Sequence, residues 1–256
     1  MGALEQLAAM PDSTPMVDAK PCYEAARDEE NAMICTDLAK CGLNVRSVSD
    51  AKPVPGLGEL AARRICWWVR HCQMGVLREL LAQALIRKDL SDDILADLVD
   101  DYRHPDRQDG VWRFHADDRT TWEYQYQGAP QTLGELRRNL SNASRYQVAL
   151  AIGYGASLRH IDVVRELATD VSQGETRSAL IEGYARLAKR EAMATMREIA
   201  EDPRDAIARA EAIHRLRRYA GPEMAPWFAK FLADDRGQVR FETKKALAKL
   251  AKSAGA

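Results

Sequence analysis

The hexapeptide ALAIGY at residues 149–154 returns as ALIEGY at residues 179–184, thirty positions later. The same spacing continues in two lines of residues. The small residues of the first line are Gly153, Gly183, Ala212 and Thr243, and the leucines of the second are Leu187, Leu216 and Leu247. A period of this length is typical of stacked helical units, in which small residues allow close approach and leucines fill the seam. The sequence therefore predicts an all-α protein, an α-solenoid of helical hairpins.

Composition excludes few functions. The 256 residues are 46% hydrophobic and carry 37 basic and 38 acidic side chains, so nothing global indicates a nucleic-acid or anionic-membrane binder. The charge is uneven, because residues 1–50 hold nine acidic against four basic side chains while residues 201–256 hold twelve basic against eight acidic. We expect one acidic end and one mildly basic end.

The five cysteines all fall in the first third of the chain and never form the C-x-x-C spacing of a structural zinc site. A reduced compartment is the simpler interpretation. The N-terminus carries no basic region followed by an apolar run, and no stretch reaches eighteen apolar residues. We therefore expect a cytoplasmic protein with no membrane partner.

Four segments are predicted. Residues 1–21 contain three prolines and are predicted to form an irregular leader, and residues 22–102 to form irregular helical repeats whose first helix ends at Gly42. Residues 103–133 are rich in aromatic residues and alternate like a short β-hairpin inserted into the array. Residues 134–256 are predicted to form regular repeats, continuous with the rest in one solenoid domain, with helices near 143–156, 158–171, 175–189, 191–201, 204–219, 222–234 and 237–253.

The last of these repeats is the clearest. An apolar helix at 226–232 ends in an Asp234-Asp235 turn, Val239-Arg240 opens the second helix and Ala246-Leu247 closes it. In this pattern the chain resembles the HEAT-repeat superfamily, especially its short bacterial, phycobilisome-lyase-like form. The resemblance covers residues 143–253 by motif and residues 22–102 by helix pairing.

The middle repeat departs from the HEAT pattern, because Ile207-Ala208 stands where Val-Arg is expected. The resemblance implies a surface for binding other macromolecules without naming the ligand. It also leaves two other roles open, DNA binding or base excision of the alkylpurine-DNA-glycosylase type and an accessory role like that of phycobilin lyase subunits.

No reaction centre stands out. Cys66 and Cys72 are about 240° apart on a helix and cannot share a face, so packing is favoured over a metal site with His71. The loop residues His104, Asp106 and Asp109 are interpreted as turn formers. No nucleophile elbow, Walker loop or zinc-protease motif occurs, and no catalytic residue, metal or cofactor is predicted.

Two sets of residues are candidates for binding. For a protein partner, the aromatic insertion offers bulky anchors with an acidic rim, namely Trp112, Phe114, Trp122, Tyr124, Tyr126, Asp106, Asp109, Asp117 and Asp118. The alternative is that these aromatics form a local mini-core. For nucleic acid, the basic candidates are Arg215, Arg217, Arg218, Arg240, Lys244 and Lys245, although a solvated helix face is the simpler explanation of them.

The function favoured by the sequence is stoichiometric protein binding without catalysis. Its most concrete version is a bacterial immunity protein that occludes the basic active site of a cognate toxin with acidic and aromatic side chains.

Of two neighbouring tryptophans, Trp67 and Trp68, helical geometry places one in the core and the other near the surface or in a seam between helices.

Overall fold

The computed structural model describes residues 1–51, 57–88, 90–104 and 129–254. All regular secondary structure in these ranges is helical, which confirms the all-α class. The predicted β-hairpin has its core in residues 105–128, outside the described residues. The chain divides into two compact units, Met1–Gly155 and Ala156–Ala256. None of the described helices combines the length and the apolar character needed to cross a membrane.

The described residues of the first unit form six α-helices. They are α1 (Ala3–Ala9), α2 (Met16–Lys40), α3 (Glu59–His71), α4 (Gly75–Ala84), α5 (Asp92–Arg103) and α6 (Leu133–Gly155). Helix α3 packs on α4, α5 packs on α6, and α4 and α6 lie against each other. The first helices of these two hairpins, α3 and α5, also contact each other. The unit is therefore built on helical hairpins, as the apolar pattern predicts.

The prediction of an irregular leader over residues 1–21 is wrong, because α1 and the first turns of α2 occupy most of this segment. Leu4 and Leu7 of α1 are buried in its contact with α2, and the Glu29 carboxylate accepts hydrogen bonds from the backbone N–H groups of Ala3 and Leu4. Pro21 lies inside α2 without ending it. The tertiary contacts thus outweigh the helix-breaking tendency of proline.

The end of α2 agrees with the sequence. Gly42 follows the helix with a φ of +82°, in the left-handed region where glycine carries no steric penalty. Its N–H donates to the carbonyl of Ala39, and the next N–H, of Leu43, reaches back to Leu38. These bonds close the helix as a Schellman-type cap does.

Buried charges tie the hairpins of the first unit together. Arg78 of α4 donates to Asp101 of α5 at 2.8 Å, and both side chains are almost completely buried. Arg145 of α6 lies over the Tyr102 ring and donates to the Tyr102 carbonyl at 2.8 Å. At the α3–α4 turn, the buried Glu30 carboxylate accepts the N–H groups of Gln73 and Met74, at 2.6 and 2.8 Å.

The second unit follows the predicted pairs. Its helices are α7 (Ile161–Thr169), α8 (Ser178–Ala188), α9 (Met193–Glu201), α10 (Ala206–Leu216), α11 (Ala225–Ala229) and α12 (Gly237–Ala254), most of them preceded or extended by a 3₁₀ turn. Helix α7 packs on α8, α9 on α10 and α11 on α12. The second helices also pack in sequence, α8 on α10 and α10 on α12.

The line of small residues runs along these second helices. Gly183 of α8, Ala212 of α10 and Thr243 of α12 are all buried, and the Thr243 hydroxyl donates to the Val239 carbonyl of its own helix at 2.8 Å. Leu187 and Leu216 are buried beside them. The repeat read from the sequence therefore marks the seams between second helices in this unit.

A second periodic feature is a pair of buried arginines. Arg177 donates to the Ala168 carbonyl and to Asp205, and Arg209, 32 residues later, donates to the Ala200 carbonyl and to Asp234. Arg209 belongs to the middle repeat, whose Ile207-Ala208 departs from the Val-Arg pattern, and it makes the same kinds of contact as Arg177. Each arginine links a hairpin to the next one.

Candidate functional site

Only some of the predicted site residues lie in the part of the chain that the structure describes. The aromatic and acidic candidates of the insertion are Trp112, Phe114, Trp122, Tyr124, Tyr126, Asp106, Asp109, Asp117 and Asp118, and all of them lie outside the described residues. Their role as a partner-binding surface, and the mini-core alternative, both stay predictions.

The predicted basic face divides. Arg215, Arg217 and Arg218 line one cleft of about 290 Å³ near the end of α10, together with His214 and Lys249. Neighbouring glutamates neutralise much of this charge. Arg215 pairs with Glu182 and Glu211, and Arg217 pairs with Glu242.

The other basic candidates lie apart from this cleft. Arg240 is turned into the α11–α12 connection, where it donates to the carbonyls of Asp234 and Asp235 at 2.6 and 2.9 Å. Lys245 covers the Phe241 ring, with its Nζ 3.9 Å from the ring centroid, while Lys244 is exposed. The six basic residues therefore do not form one continuous surface for a nucleic-acid backbone.

A different cleft, between α3 and α5, combines an aromatic ring, a thiol and side chains of both charges. It has a volume of about 290 Å³ and is lined by Arg63, Cys66, Trp67, Val69, Arg70, His71, Asp97, Leu98 and Asp101. Arg63 donates to Asp93 at 2.8 Å and Arg70 donates to Asp100 at 2.9 Å, and each pair is separated by 30 residues. The equal offset means that the two helices run parallel and in register. In that register Trp67 stands opposite Asp97.

Trp67 is the aromatic residue of this cleft, and 40% of its surface is exposed. The His71 imidazole stacks on its ring, with the centroids 4.1 Å apart and the planes 12° apart. The Arg64 guanidinium carbon lies 4.2 Å from the ring centroid, and Trp68 meets the ring edge-on at 5.0 Å. Three neighbours thus hold a partly exposed indole in one orientation.

Trp68 has the opposite environment. It is 8% exposed, and its indole N–H donates to Asp37 of α2 at 2.9 Å. Asp37 also accepts a bond from Arg64, whose side chain is drawn toward α2. The hydrogen bond from Arg64, helped by the one from Trp68, holds the pKa of Asp37 below its usual value. The prediction that one of the two tryptophans is core and the other is near the surface is confirmed.

Helix α5 supplies the acidic side of the cleft, opposite Arg63 and Arg70 of α3. Its sequence holds five aspartates against a single arginine. Asp101 pairs with the buried Arg78, Asp93 with Arg63, and Asp100 with Arg70 and with His104. Asp97 makes no hydrogen bond or ion pair with any described residue.

The thiols near the cleft are poor nucleophiles. Burial raises the pKa of Cys66 to about 12, and the carboxylates of Asp97 and Asp101 act in the same direction. Burial also raises the pKa of Cys72, whose thiol donates to Glu30. The two cysteines contact different elements, as the helical spacing predicts, because the Cys66 thiol is directed to the Ile94 carbonyl. At neutral pH both are protonated, and thiolate chemistry is not supported here.

No three His, Cys, Asp or Glu side chains in the described part of the chain gather closely enough to hold a metal ion. His71 lies against Trp67 and contacts the Trp67 carbonyl through Nδ1 at 2.7 Å, rather than a cysteine.

Sequence reasoning missed the α3–α5 cleft, although a signal for it exists. The spacing of 30 that repeats in ALAIGY and ALIEGY also separates Arg63 from Asp93 and Arg70 from Asp100. A comparison of oppositely charged residues 30 positions apart would have shown which residues of α3 face which residues of α5.

Comparisons of the chain with protein-family models, with curated proteins and with solved structures find no match.

Proposed function

We propose that this protein is a non-catalytic binding module, whose HEAT-like helical hairpins stack as an α-solenoid and capture a protein partner. The observation that carries the proposal is the exposed Trp67 ring at the mouth of the α3–α5 cleft. Tryptophan and arginine are the side chains that most often dominate interface energies. Trp67 has arginines beside it on the same helix, at positions 63, 64 and 70.

The rigidity of Trp67 supports an anchoring role. Its contacts with Arg64, His71 and Trp68 order the ring before any partner arrives. A side chain that is ordered in advance loses little conformational entropy on binding, so more of its contact energy contributes to affinity. Leu60, 64% exposed and two turns before Trp67, adds apolar surface on the same helix.

The charge of α5 favours a basic partner. Arginines of α3 and α4 pair with three of its aspartates, at positions 93, 100 and 101, so the charge left for a partner in the cleft is that of Asp97. An unpaired carboxylate favours the encounter with a positively charged protein. The most concrete version of the proposal is an immunity protein that covers the basic active site of a cognate toxin. In this version the acidic and aromatic side chains that cover the toxin's active site are those of the α3–α5 cleft, whereas the sequence analysis assigned this role to the insertion.

Affinity capture from a lysate of the native host tests the proposal. We expect the wild-type protein to retain one basic protein in a 1:1 ratio, identified by mass spectrometry and sized by native mass spectrometry. Trp67→Ser should lose this partner. Phe241→Ser is the matched control, since it removes an aromatic residue that is 57% exposed on the second unit, and it should retain the partner. A triple variant, Trp112→Ala, Trp122→Ala and Tyr124→Ala, tests the insertion independently.

Two results would contradict the proposal. Equal capture by wild type and Trp67→Ser would remove the cleft from the binding surface. Capture of no protein in a 1:1 ratio would remove the binding function itself.

A second candidate function is duplex-DNA binding through the basic cleft of the second unit, and the clustering of Arg215, Arg217 and Arg218 favours it. Its signature is affinity that falls steeply with salt and is reduced by Arg218→Gln. If duplex DNA gives no gel shift at low salt, or if Arg218→Gln binds it as tightly as wild type, this function is ruled out. The phycobilin-lyase-like role has only the support of the sequence resemblance.

A further inference from the structure

The row of charges between α3 and α5 is incomplete at its centre. Arg63 pairs with Asp93 at one end and Arg70 pairs with Asp100 at the other. Midway between these two pairs α5 carries Asp97, while α3 carries Trp67 where a third basic residue would complete the row. The chain thus supplies the cation for the outer two aspartates and leaves the middle one without a partner among the described residues.

The environment of Asp97 favours a cation. Asp93 and Asp100, one helical turn before and after it, are already paired with Arg63 and Arg70. The negative charge of Asp97 therefore has no counter-ion among the described residues, and a positive group placed there would supply one.

We infer that the α3–α5 cleft receives an arginine side chain of the partner protein, whose guanidinium pairs with the Asp97 carboxylate while its aliphatic stem lies against Trp67. The inference rests on the proposed function and names the chemistry that the partner must present. The cleft volume of about 290 Å³ suits a single long side chain rather than a helix. The bound guanidinium becomes the third cation of the row.

Arginine fits this position better than lysine. A guanidinium is planar and offers a fork of N–H donors that bonds both oxygens of a carboxylate, whereas an ammonium is a compact point charge. The aliphatic stem of an arginine also packs on apolar surface while its charged head stays at a polar group, which matches the exposed part of Trp67 beside Asp97. The cleft offers the carboxylate and the ring side by side.

The test titrates the full chain with the capped tripeptide acetyl-Gly-Arg-Gly-amide and follows the Trp67 indole N–H resonance by ¹⁵N NMR, assigned with Trp67→Phe. We expect a saturable shift with the arginine peptide and none with the same peptide carrying citrulline, the neutral isostere of arginine. Asp97 is exposed, so Asp97→Asn should weaken binding about fivefold, the size of effect typical of a strong exposed charged pair. Asp92→Asn is the matched control, because it removes the same charge from α5 outside the cleft, and it should change affinity less than about twofold.

Three results would overturn the inference. They are a shift of equal size with citrulline, an affinity unchanged in Asp97→Asn while circular dichroism shows a folded protein, and a lysine peptide that binds as tightly as arginine. These outcomes are separable from the proposed function. A partner captured through Trp67 by a protein that does not bind the arginine peptide would leave the function standing and remove the arginine.

Discussion

The buried pair of Arg177 and Asp205 supplies the sharpest stability prediction. The Arg177 side chain is 1% exposed, its Nε lies 3.0 Å from an Asp205 oxygen, and the other Asp205 oxygen accepts the N–H of Ala208 and so caps α10. Asp205→Asn preserves an oxygen for the cap but leaves the guanidinium buried without its counter-ion. Breaking a buried pair from one side costs about 3–5 kcal/mol, and we expect a loss near the middle of that range. Asp205→Ala removes the cap as well and should cost about 1 kcal/mol more.

Urea unfolding followed by far-ultraviolet circular dichroism measures this loss, and hydrogen exchange of the α10 amides assigns it to the second unit. Arg204→Gln is the control, because its pair with Asp202 is exposed on the arginine side and should contribute at most about 1 kcal/mol. The double variant Arg177→Met, Asp205→Asn should recover part of the loss, since no unpaired charge stays buried. A loss in Asp205→Asn no larger than that of the control would refute the reasoning.

Three further predictions concern other parts of the molecule. Trp67→Ser removes three ring contacts and should cost about 1–2 kcal/mol. Trp68→Ala, which empties a buried site and frees its N–H partner, should cost more, about 3–5 kcal/mol; urea unfolding compares the two. Glu30→Ala leaves two N–H groups at the α3–α4 turn without an acceptor and should cost about 2–3 kcal/mol by the same assay. The hydrogen bond from Arg204 lowers the pKa of Asp202 from 3.8 to about 2, so its stabilising contribution is complete above pH 3.8 and is lost as pH falls toward 2. Acid unfolding of Asp202→Asn should therefore be less steep over this interval than that of wild type, and an unchanged slope would contradict the assignment.

The fold class was accessible from the sequence because the array repeats its packing contacts. Gly183 and Ala212 recur at the points where second helices meet, so their spacing reports a physical seam. The leader was not accessible in this way. Its prolines suggested irregular chain, and its helices depend on the contact of α1 with α2 and on the cap supplied by Glu29, neither of which is a local property.

The candidate site was accessible only in part. Helical geometry predicts that Trp67 and Trp68 diverge, but which of them is exposed depends on Asp37, a residue of another helix. The position of Asp97 opposite Trp67 depends on the register between α3 and α5, which a single sequence reveals only when oppositely charged residues are compared at the repeat period. The aromatic insertion attracted attention because its composition is unusual, whereas the cleft is built from ordinary helical residues.

The most direct test of protein binding through α3 is site-specific photo-crosslinking in the native host, with a photoreactive amino acid in place of the exposed Leu60 or, as a control, of Phe241. The account predicts one crosslinked species from position 60, with a mass equal to this chain plus one basic protein, that disappears when Trp67→Ser is added. Position 241 should give no such species. Crosslinks from position 241 alone, or a crosslink at position 60 that persists in Trp67→Ser, would contradict the account.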